Sequence, residues 1–472
     1  MIPERFAPIL AELAPLAERF AAANKRLYLV GGTVRDLLVG RGNVDDVEAF
    51  DFDATTDARP DEIKAILNGW SDALWTQGEK FGTIGAKKAG RVYEITTHRA
   101  EAYSPDSRKP EVKFADAIEA DLSRRDFTVN AMALELTGSA PSLIDPFNGA
   151  TDLIARVLRT PLSPEESFND DPLRMLRAAR FIAGLNLTPD PALVSAVRNM
   201  ATRLEIVSRE RIQAELDRLL VVDHPTAGLW FLVETGLAAQ FFPELPEMSL
   251  EQDPIHRHKD VLTHTFAVVE NVRPDANPDF DFRITRLAAL FHDIGKPKTR
   301  SIRKGKGVTF HHHEVVGARM TRDRLKALKY STEDVEAITS LVELHLRFHT
   351  YSMGWTDSAV RRYVRDAGPL LHELNVLTRC DCTTRNEKKA LMLSRRMDEL
   401  ESRIAELAEQ EQLAALRPEL DGVTVMQLLD MKPGRDVGRA LDFLMEIRLE
   451  EGLLGEEEIT RRLRDWWSAQ TN

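Results

Sequence analysis

Two aspartates separated by one residue, Asp51 and Asp53, lie in a strand-like segment near the start of the chain. Side chains alternate along a strand, so both carboxylates are expected to project from the same face. Like charges held this close favour a divalent cation, because carboxylate oxygens are the ligands that hard cations prefer. The two aspartates therefore indicate a metal site.

Two glycines, Gly31 and Gly32, precede these aspartates, between a predicted strand over 27–30 and a short helix predicted from Thr33. A backbone without Cβ atoms can approach a phosphate closely, and the helix N-terminus adds partial positive charge. Arg35 supplies a further phosphate donor. Phosphate donors beside metal-holding carboxylates are what phosphoryl or nucleotidyl transfer requires.

A third acid is expected on a neighbouring strand, since sites with two metal ions usually share three carboxylates. Glu94, in the β-type segment RVYEITTHR, is the candidate. The later segment SRRDFTVNAMAL would supply contacts to a triphosphate or a sugar through Arg124, Arg125, Asp126 and Asn130. The alternative interpretation of that segment is a capping and packing motif.

Charged residues recur at every third position in the segment DDPLRMLRAARF: Asp171, Arg174, Arg177 and Arg180. We predict that they lie on one helix, where this spacing makes a stripe that turns slowly around one side. The alternative interpretation is a solvated charged face in which Asp171 and Arg174 pair.

Most of the histidines lie between residues 256 and 381. The segment RLAALFHDIGKPKT resembles the signature of HD-domain phosphohydrolases, which implies a minimal set of metal ligands consisting of His264, His292, Asp293 and Asp381. Imidazole and carboxylate ligands together suit Mn²⁺, Ni²⁺, Fe²⁺ or Zn²⁺. His313 and His345 would hold a second ion. The alternative is that these histidines only satisfy buried hydrogen bonds in a helical bundle.

The composition is typical of a soluble globular protein, with 43% apolar and 29% charged residues. At 472 residues, the chain is expected to contain three or four domains. Its apolar runs are much shorter than the ~20 residues of a membrane span, and its N-terminal segment lacks the character of a signal or transit peptide. We therefore expect a cytoplasmic protein. Cys380 and Cys382 are too close in sequence for an ordinary disulfide and are expected to be ordinary small buried residues.

Patterning divides the chain into an α/β part and a helical part. β-type runs alternate with capped helices as far as residue 145, and helical periodicity dominates from residue 151. A proline-bearing stretch at 241–260 and a change near Asn386 suggest further boundaries. The predicted regions are an N-terminal helix, a head, a helical neck, a helical body and a helical tail, at residues 1–25, 26–150, 151–245, 246–385 and 386–472.

Six motifs occur in order along the chain: LVGGTVRDLL, DFDATTDA, YEITTHR, RRDFTVNAMA, DDPLRMLRAARF and SRERIQAELDRLL. In this combination the chain strongly resembles the bacterial-type (class II) tRNA nucleotidyltransferases, or CCA-adding enzymes, and the similar bacterial poly(A) polymerases. The resemblance covers residues 26–235, and the remainder more weakly. It implies an α+β head of the polymerase-β type with a small mixed sheet. There, the RNA 3′-hydroxyl would attack the α-phosphate of a nucleotide and pyrophosphate would leave.

The resemblance also implies roles for individual residues. Asp51 and Asp53 would bind Mg²⁺, and Glu94 would be the third catalytic acid. The implied nucleotide-binding residues are Gly31, Gly32, Arg35, Arg125, Asp126, Asn130, Asp171, Arg174, Arg177 and Arg180. The tail segment MKPGRDVGRAL would contact tRNA, although it is equally compatible with a plain junction between a loop and a helix.

In this family, the segment around Asp171 replaces a nucleic-acid template. An ionised aspartate only accepts hydrogen bonds and an arginine only donates them, so Asp171 and Arg174 select an amino group beside ring acceptors. Cytosine and adenine present such an amino group. Uracil and guanine place a carbonyl oxygen there instead, which would face the carboxylate and leave it without a donor. The expected substrates are therefore CTP and ATP. Position 170 is Asp where Glu is commoner in the family, but the Asp-x-x-Arg pair is intact.

Three functions are compatible with these motifs. The first is CCA addition to tRNA, and the second is poly(A) or A-only addition by the same kind of head. A poly(A) polymerase that binds arbitrary RNA should be basic, so the formal charge of −12 favours tRNA as the partner. The third is an HD phosphohydrolase with an RNA-binding head, against which the intact head motifs argue.

Overall fold

The computed structural model describes residues 3–41, 52–102, 111–250, 260–303, 307–350, 355–384, 386–411 and 417–471. The chain divides into two compact units after Pro243. The large sheet lies in the first unit, and the second unit is built mainly of helices. Within the described residues, no helix is both long enough and apolar enough to cross a lipid bilayer.

The first unit contains a strand-rich part followed by a helical part. Its helices and strands are, in chain order, α1 (Ala7–Ala22), β1 (Leu27–Val30), α2 (Gly32–Val39), β2 (Phe52–Thr56), α3 (Pro60–Leu67), β3 (Ala73–Trp75), β4 (Thr83–Lys88), β5 (Arg91–Thr97), β6 (Arg99–Ala102), β7 (Glu111–Phe114), α4 (Ile118–Ser123), β8 (Ala133–Glu135), β9 (Ser142–Ile144), α5 (Gly149–Ala155), β10 (Val157–Leu158), α6 (Pro164–Asp170), α7 (Leu173–Leu185), β11 (Thr188–Pro189), α8 (Pro191–Met200), α9 (Arg209–Leu220), α10 (Thr226–Glu234) and α11 (Ala238–Phe241).

A seven-stranded mixed sheet is the framework of the strand-rich part, with strand order β3-β4-β5-β2-β1-β8-β9. Strands β2 and β5 run parallel, and the other neighbouring strands are antiparallel. The parallel pair arises because α3 and the β3–β4 hairpin connect β2 to β5, which gives the chain the length that a crossover needs. An α+β head with a small mixed sheet was predicted from the sequence and is confirmed.

The two faces of this sheet have different environments. On one face, the rings of Phe52 and Tyr93 stack with their centroids 5.3 Å apart, and the Tyr93 hydroxyl donates to Glu12 of α1 over 2.8 Å. Because side chains alternate along a strand, the next residues, Asp53 and Glu94, project from the opposite face. The buried face thus fixes the strands that carry the candidate catalytic acids.

Helix α7 is central to the helical part, where it packs on α9 and α10. Gly228 of α10 permits this close approach, since a Cβ atom there would lie 2.4 Å from the carbonyl oxygen of Ala179. The helix begins at Leu173, and Asp171 lies before it in extended backbone with φ −141° and ψ 101°. The prediction that Asp171 shares a helix with the three arginines is therefore wrong. Pro172 explains the difference, because a residue before proline is disfavoured in the helical region.

The second unit consists of a helical body and a helical tail. Its elements are, in chain order, α12 (Glu244–Glu247), α13 (Val261–Asn271), α14 (Phe282–Phe291), α15 (Lys296–Thr299), β12 (Ser301–Arg303), β13 (Gly307–Thr309), α16 (His313–Ala327), α17 (Thr332–Leu344), α18 (Arg347–Thr350), α19 (Asp357–Ala367), α20 (Leu371–Asp381), α21 (Glu387–Glu411), α22 (Gly422–Leu429), α23 (Arg435–Glu451) and α24 (Glu456–Thr471). Helix α14 packs on α13, α17 and α20, and α22, α23 and α24 share a separate apolar core around Leu444.

Candidate active site

Two carboxylates, Asp53 of β2 and Glu94 of β5, form what we term the acidic pair. They are direct partners in the parallel register, so their side chains leave the same face of the sheet from strands about 4.8 Å apart. Both residues are exposed. Asp51, the other predicted metal ligand, lies outside the described residues. The structure thus places Glu94 beside Asp53, on the neighbouring strand where a third acid was expected.

Gly31 makes the turn between β1 and α2, next to the acidic pair. Its φ of +78° lies in a region that favours glycine. A Cβ atom at Gly31 would lie 3.5 Å from Nη1 of Arg125 and 3.6 Å from Oδ2 of Asp53. Helix α2 begins at Gly32, one residue earlier than predicted. The turn therefore brings backbone N–H groups, a guanidinium group and a carboxylate together, as a phosphate site beside a metal site requires.

Arg35 is held in one orientation by two neighbours. Its Nε and Nη2 atoms each donate to Asp36 over 2.8 Å, and its Nη1 atom donates to Oδ1 of Asn130 over 2.6 Å. A Cβ atom at Gly32 would lie 3.4 Å from Nη2 of Arg35. Three predicted nucleotide-binding residues, Gly32, Arg35 and Asn130, are thus adjacent, and the guanidinium group needs little reorganisation to meet a phosphate.

Asp121 is a buried carboxylate that the sequence analysis missed. Its Oδ1 atom accepts from Nη2 of Arg124 over 3.2 Å, and its Oδ2 atom accepts from Nη2 of Arg125 over 3.4 Å. Burial by itself raises the pKa of the Asp121 carboxyl, but the two guanidinium groups outweigh it and hold the pKa below its ordinary value. The available signal was its spacing of three and four residues from the two arginines, which lets both guanidinium groups reach back from the end of α4 to the carboxylate.

Asp126 links the head to helix α7. Its Oδ2 atom accepts from Nε and Nη2 of Arg177 over 2.9 and 2.5 Å, and its Oδ1 atom accepts from the backbone N–H of Phe127 and from Nδ2 of Asn130. Burial raises the pKa of the Asp126 carboxyl, but Arg177 and Asn130 hold it below its ordinary value. Both oxygens therefore accept from protein donors, and Asp126 orients two of the predicted nucleotide-binding residues.

The predicted base-reading residues, Asp171 and Arg174, are close in sequence but have separate partners. Arg174 is buried and donates to Oγ of Ser167 over 2.9 Å and to the carbonyl oxygen of Arg124. Asp171 accepts from the backbone N–H of Leu173 over 3.1 Å and from Nη2 of Arg211 over 2.7 Å. The alternative in which Asp171 and Arg174 pair through their side chains is not what the structure has.

Glu215 of α9 is a second buried carboxylate that the sequence analysis missed. It accepts from Nε of Arg180 over 2.9 Å and from Nη1 of Arg218 over 3.0 Å, and Nη1 of Arg177 lies 3.7 Å away. The signal in the sequence was that Glu215 lies three residues after Ile212, on the apolar face of α9. A carboxylate on a buried face requires a cationic partner, which marks the position as a buried ion pair.

Phe181 of α7 lies among three guanidinium groups, and we term these arginines the arginine cluster. The Cζ atoms of Arg180, Arg35 and Arg177 lie 4.4, 5.5 and 5.7 Å from its ring centroid. The ring of Phe127 packs edge-on against it at 5.4 Å. Cations are favoured over an aromatic face. The ring therefore brings predicted nucleotide-binding arginines from the head and from α7 to the same place.

The second unit contains what we term the histidine cluster: His264, His292, Asp293, His313, His345 and Asp381. Two triplets within it, His264–His292–Asp293 and Asp293–His313–His345, each offer ligand atoms within 4.8 Å of one another. Asp381 joins them, with Oδ1 2.9 Å from Nε2 of His264 and 3.6 Å from Nε2 of His292. The structure thus gathers all six predicted metal ligands, and Asp293 is shared by both triplets.

The histidine rings are oriented from behind. Nδ1 of His292, His313 and His345 lies 2.7, 2.8 and 2.6 Å from a backbone carbonyl oxygen three residues earlier, which requires Nδ1 to carry the proton. Nε2 then faces inward with a lone pair, the orientation that metal-binding histidines show. Among the described residues, Nε2 of His345 is buried without a hydrogen-bond partner, and Nε2 of His313 is buried 3.3 Å from Oδ1 of Asp293.

His345 and Asp293 have the charge states of metal ligands, whereas at His292 burial, which lowers the pKa, is outweighed by Asp293 and Asp381, which raise the pKa. Burial lowers the pKa of His345 to about 3, so this ring is neutral at physiological pH. Burial raises the pKa of Asp293, but His292 and Lys296 hold it well below its ordinary value. Lys296 donates to Oδ2 of Asp293 over 2.7 Å. A buried ring that only satisfied hydrogen bonds would not leave an Nε2 atom without a partner, as His345 does among the described residues.

Three family models match successive parts of the chain. They describe a poly(A) polymerase head domain at residues 27–159, a probable RNA- and SrmB-binding site of polymerase A at residues 186–248, and an HD domain at residues 261–412. The first match contains the sheet and Arg35, whereas Arg177 and Arg180 lie between the first two matches, and the third contains the histidine cluster.

Similar proteins have the same organisation. The A-adding tRNA nucleotidyltransferase of Deinococcus radiodurans is 33% identical over 455 residues, covering 94% of this chain and 96% of that enzyme. The CCA-adding enzyme of Streptococcus gordonii is 40% identical over 235 residues, covering 50% of this chain and 55% of that enzyme. A crystal structure of the Bacillus stearothermophilus CCA-adding enzyme in complex with CTP has the same fold, with a TM-score of 0.69, 23% identity and 99% coverage of both chains. The chain therefore belongs to the tRNA nucleotidyltransferase and poly(A) polymerase family, and it carries an HD domain.

Proposed function

We propose that this protein is a template-independent RNA nucleotidyltransferase that adds CMP and AMP to the 3′ end of tRNA. The observation that carries the proposal is the acidic pair in register beside the Gly31 turn, with Arg35 and Arg125 next to it. Acids that hold a metal and donors that hold a triphosphate are thereby adjacent, which nucleotidyl transfer requires. The name of the D. radiodurans relative supports tRNA as the acceptor, and that of the S. gordonii relative supports CCA as the added sequence.

Mg²⁺ is the metal that fits the residues of the head. The acidic pair offers exposed carboxylate oxygens, which are hard ligands. Asp51 and Asp53 would hold the ion, with Glu94 beside them. When bound, Mg²⁺ lowers the pKa of the attacking hydroxyl and offsets charge on the phosphate oxygens.

The chain's own residues bind and orient the reactants. The N–H groups at the Gly31–Gly32 turn and the guanidinium group of Arg35 hold the triphosphate. The RNA 3′-hydroxyl then attacks the α-phosphorus, the bond to the β-phosphate oxygen breaks, and pyrophosphate leaves. Because Asp36 and Asn130 already fix Arg35, the donor is positioned before the nucleotide arrives.

Base selection is assigned to Asp171 and Arg174. Asp171 is about a quarter exposed, at 26%, and presents a carboxylate that a base amino group can meet. Arg174 is fixed by Ser167 and by the carbonyl oxygen of Arg124, so its remaining donors have one orientation. The amino groups of cytosine and adenine can donate to Asp171 while their ring nitrogens accept from Arg174. Uracil and guanine instead place a carbonyl oxygen opposite the carboxylate.

The test is incubation with a tRNA transcript that ends before CCA, followed by sequencing of its 3′ end. CTP alone, ATP alone and both together separate CCA addition from A-only addition, the activity named for the D. radiodurans relative, and from poly(A) tailing. Asp53→Ala should abolish addition, and Glu18→Ala, an exposed glutamate on α1, should not change it. Addition that continues in Asp53→Ala would overturn the proposal.

The histidine cluster supports a second activity, a metal-dependent phosphohydrolase. Its clustered Nε2 atoms and shared Asp293 suit Mn²⁺, Ni²⁺ or another transition metal. Such an ion would supply a bound water of lowered pKa for hydrolysis of a phosphate ester. Hydrolysis of 2′,3′-cyclic nucleotides with Mn²⁺, Ni²⁺ or Co²⁺ should be lost in His292→Ala. If no metal supports hydrolysis by the unmodified protein, the cluster has no such activity.

A further inference from the structure

Four residues line up across the sheet in one row: Trp75 of β3, Gly85 of β4, Glu94 of β5 and Asp53 of β2. Trp75 is the register partner of Gly85, Gly85 of Glu94, and Glu94 of Asp53. Register partners leave the same face of a sheet. The row therefore puts an indole ring on the same face as the acidic pair, two strands away from Glu94.

The indole lies across β4 because position 85 is a glycine. A Cβ atom at Gly85 would lie 2.0 Å from both Nε1 and Cε2 of Trp75, which no side chain could tolerate without moving the ring. The ring thus covers the backbone of β4, on the strand next to Glu94. Trp75 is partly exposed, so one surface of the ring is available to a ligand.

A cavity of about 370 Å³ lies at this end of the row, within the range of roughly 300–1,000 Å³ that is usual for ligand sites. Trp75, Phe81, Arg99 and Glu94 are among its lining residues. Phe81 is 41% exposed, and Nζ of Lys80 lies 4.8 Å from its ring centroid. The cavity combines aromatic surfaces and the guanidinium group of Arg99 with one acid of the acidic pair, and Lys80 lies against one of its aromatic rings. Aromatic rings and cations are the groups that bind single-stranded nucleic acid.

The position of the cavity identifies which reactant it holds. In the strand order, the Gly31 turn follows β1 on one side of the acidic pair, and Trp75 lies on the other side. The triphosphate is assigned to the Gly31 side, and the metal-holding acids must stand between the α-phosphate and the attacking hydroxyl. We propose that Trp75, with Phe81, stacks the 3′-terminal base of the RNA acceptor and so directs its 3′-hydroxyl to the acidic pair. This inference rests on the proposed nucleotidyl transfer.

Stacking also suits the acceptor. A terminal base that changes with each added nucleotide cannot be recognised by a fixed set of hydrogen bonds. An aromatic face accepts every base, since every base has a π-face. The cavity therefore holds the acceptor without choosing its sequence, and base choice is left to Asp171 and Arg174.

The test is a cycle of two changes, one in the enzyme and one in the RNA. Trp75→Leu keeps an apolar side chain but removes the ring, and a tRNA transcript with an abasic 3′-terminal residue removes the base. Each change alone should raise the KM for RNA about 5- to 100-fold while the KM for CTP stays within twofold. The two changes together should cost no more than one, because they remove the same contact. Trp75→Phe should restore most of the affinity for RNA.

Three results would overturn the inference. One is an unchanged KM for RNA in Trp75→Leu, the second is additive penalties in the cycle, and the third is equal KM values of the unmodified enzyme for normal and abasic RNA. The third needs no variant, and Phe81→Leu removes an exposed ring if Trp75→Leu fails to fold. Failure of the proposed function is a separate outcome, since the unmodified enzyme would then add no nucleotide to either RNA.

Discussion

Removal of the negative charge at Glu215 should loosen helix α7 and weaken nucleotide binding. Glu215 is 2% exposed and accepts from Arg180, whose side chain is 21% exposed. Glu215→Gln keeps the shape and one acceptor oxygen but leaves this guanidinium group without its counter-charge. Breaking a buried ion pair on one side costs ~3–5 kcal/mol. Water reaches part of Arg180, so we expect about 2–3 kcal/mol.

The other two arginines add little to this free energy. Arg218 is 62% exposed, and an exposed pair contributes only ~0.2–1 kcal/mol. Arg177 retains its hydrogen bonds to Asp126. The loss should therefore be concentrated at Arg180 and its ring partner Phe181. Because the arginine cluster surrounds that ring, the KM for CTP and for ATP should rise, with a smaller effect on the KM for RNA.

Two measurements check the Glu215 prediction. Hydrogen exchange of the α7 and α9 amides under native conditions gives the local loss of stability, and initial rates with CTP and ATP give the change in KM. Glu210→Gln, an exposed glutamate in the first turn of the same helix, is the matched control and should shift neither by much. Exchange protection in Glu215→Gln within about 0.5 kcal/mol of the unmodified protein would refute the reasoning, since a buried ion pair would then contribute no more than a surface pair.

Three further predictions concern other parts of the chain. The lowered pKa of Asp126 contributes stability that is present above the unfolded value of about 3.9 and is lost as pH falls through the folded value, so acid unfolding of the first unit should begin at a higher pH in Arg177→Gln. Asp171→Asn replaces an obligate acceptor by a group that also donates, so incorporation of UMP relative to CMP should rise, and an unchanged ratio by competition assay would contradict the role of Asp171. His313→Ala removes a buried Nε2 atom beside Oδ1 of Asp293 and should reduce the bound transition metal measured by mass spectrometry, while CMP addition remains; unchanged metal content would contradict metal binding by the triplet Asp293–His313–His345.

The local features of the site could be predicted from sequence. The β1 strand over residues 27–30, the glycine turn and the helix after it are signalled by adjacent residues, and the structure differs by one residue at the start of α2. The prediction of Glu94 beside Asp53 used only the expectation of a neighbouring strand. The parallel register that joins them depends on a long crossover, which no local pattern specifies.

Other features depend on contacts between distant residues. Asp171 lies outside α7 because Pro172 disfavours the helical conformation at the residue before it, which overrides the three-residue spacing of the charges. The sequence contains this signal. Arg177 meets Asp126 across 51 positions of sequence, and the ring of Trp75 covers Gly85 through an antiparallel pairing. Side-chain packing of this kind is decided by the tertiary fold, so the arginine partners of Glu215 and the position of the Trp75 ring could be identified only from the structure.

With the roles proposed above, the ring of Phe181 connects the residue that holds phosphate to the helix that follows the base-reading aspartate. Arg35 from α2 rests against the same ring as Arg177 and Arg180 from α7, the helix that Asp171 immediately precedes. A base that fits and stabilises the position of this helix also stabilises the arginine cluster beside the triphosphate. Such coupling is reciprocal in free energy. If a correct base raises the affinity for pyrophosphate by some factor, bound pyrophosphate should raise the affinity for that base by the same factor, and so increase the preference for cytosine and adenine. The selection of cytosine and adenine would then depend on the arginine cluster and Phe181 as well as on Asp171.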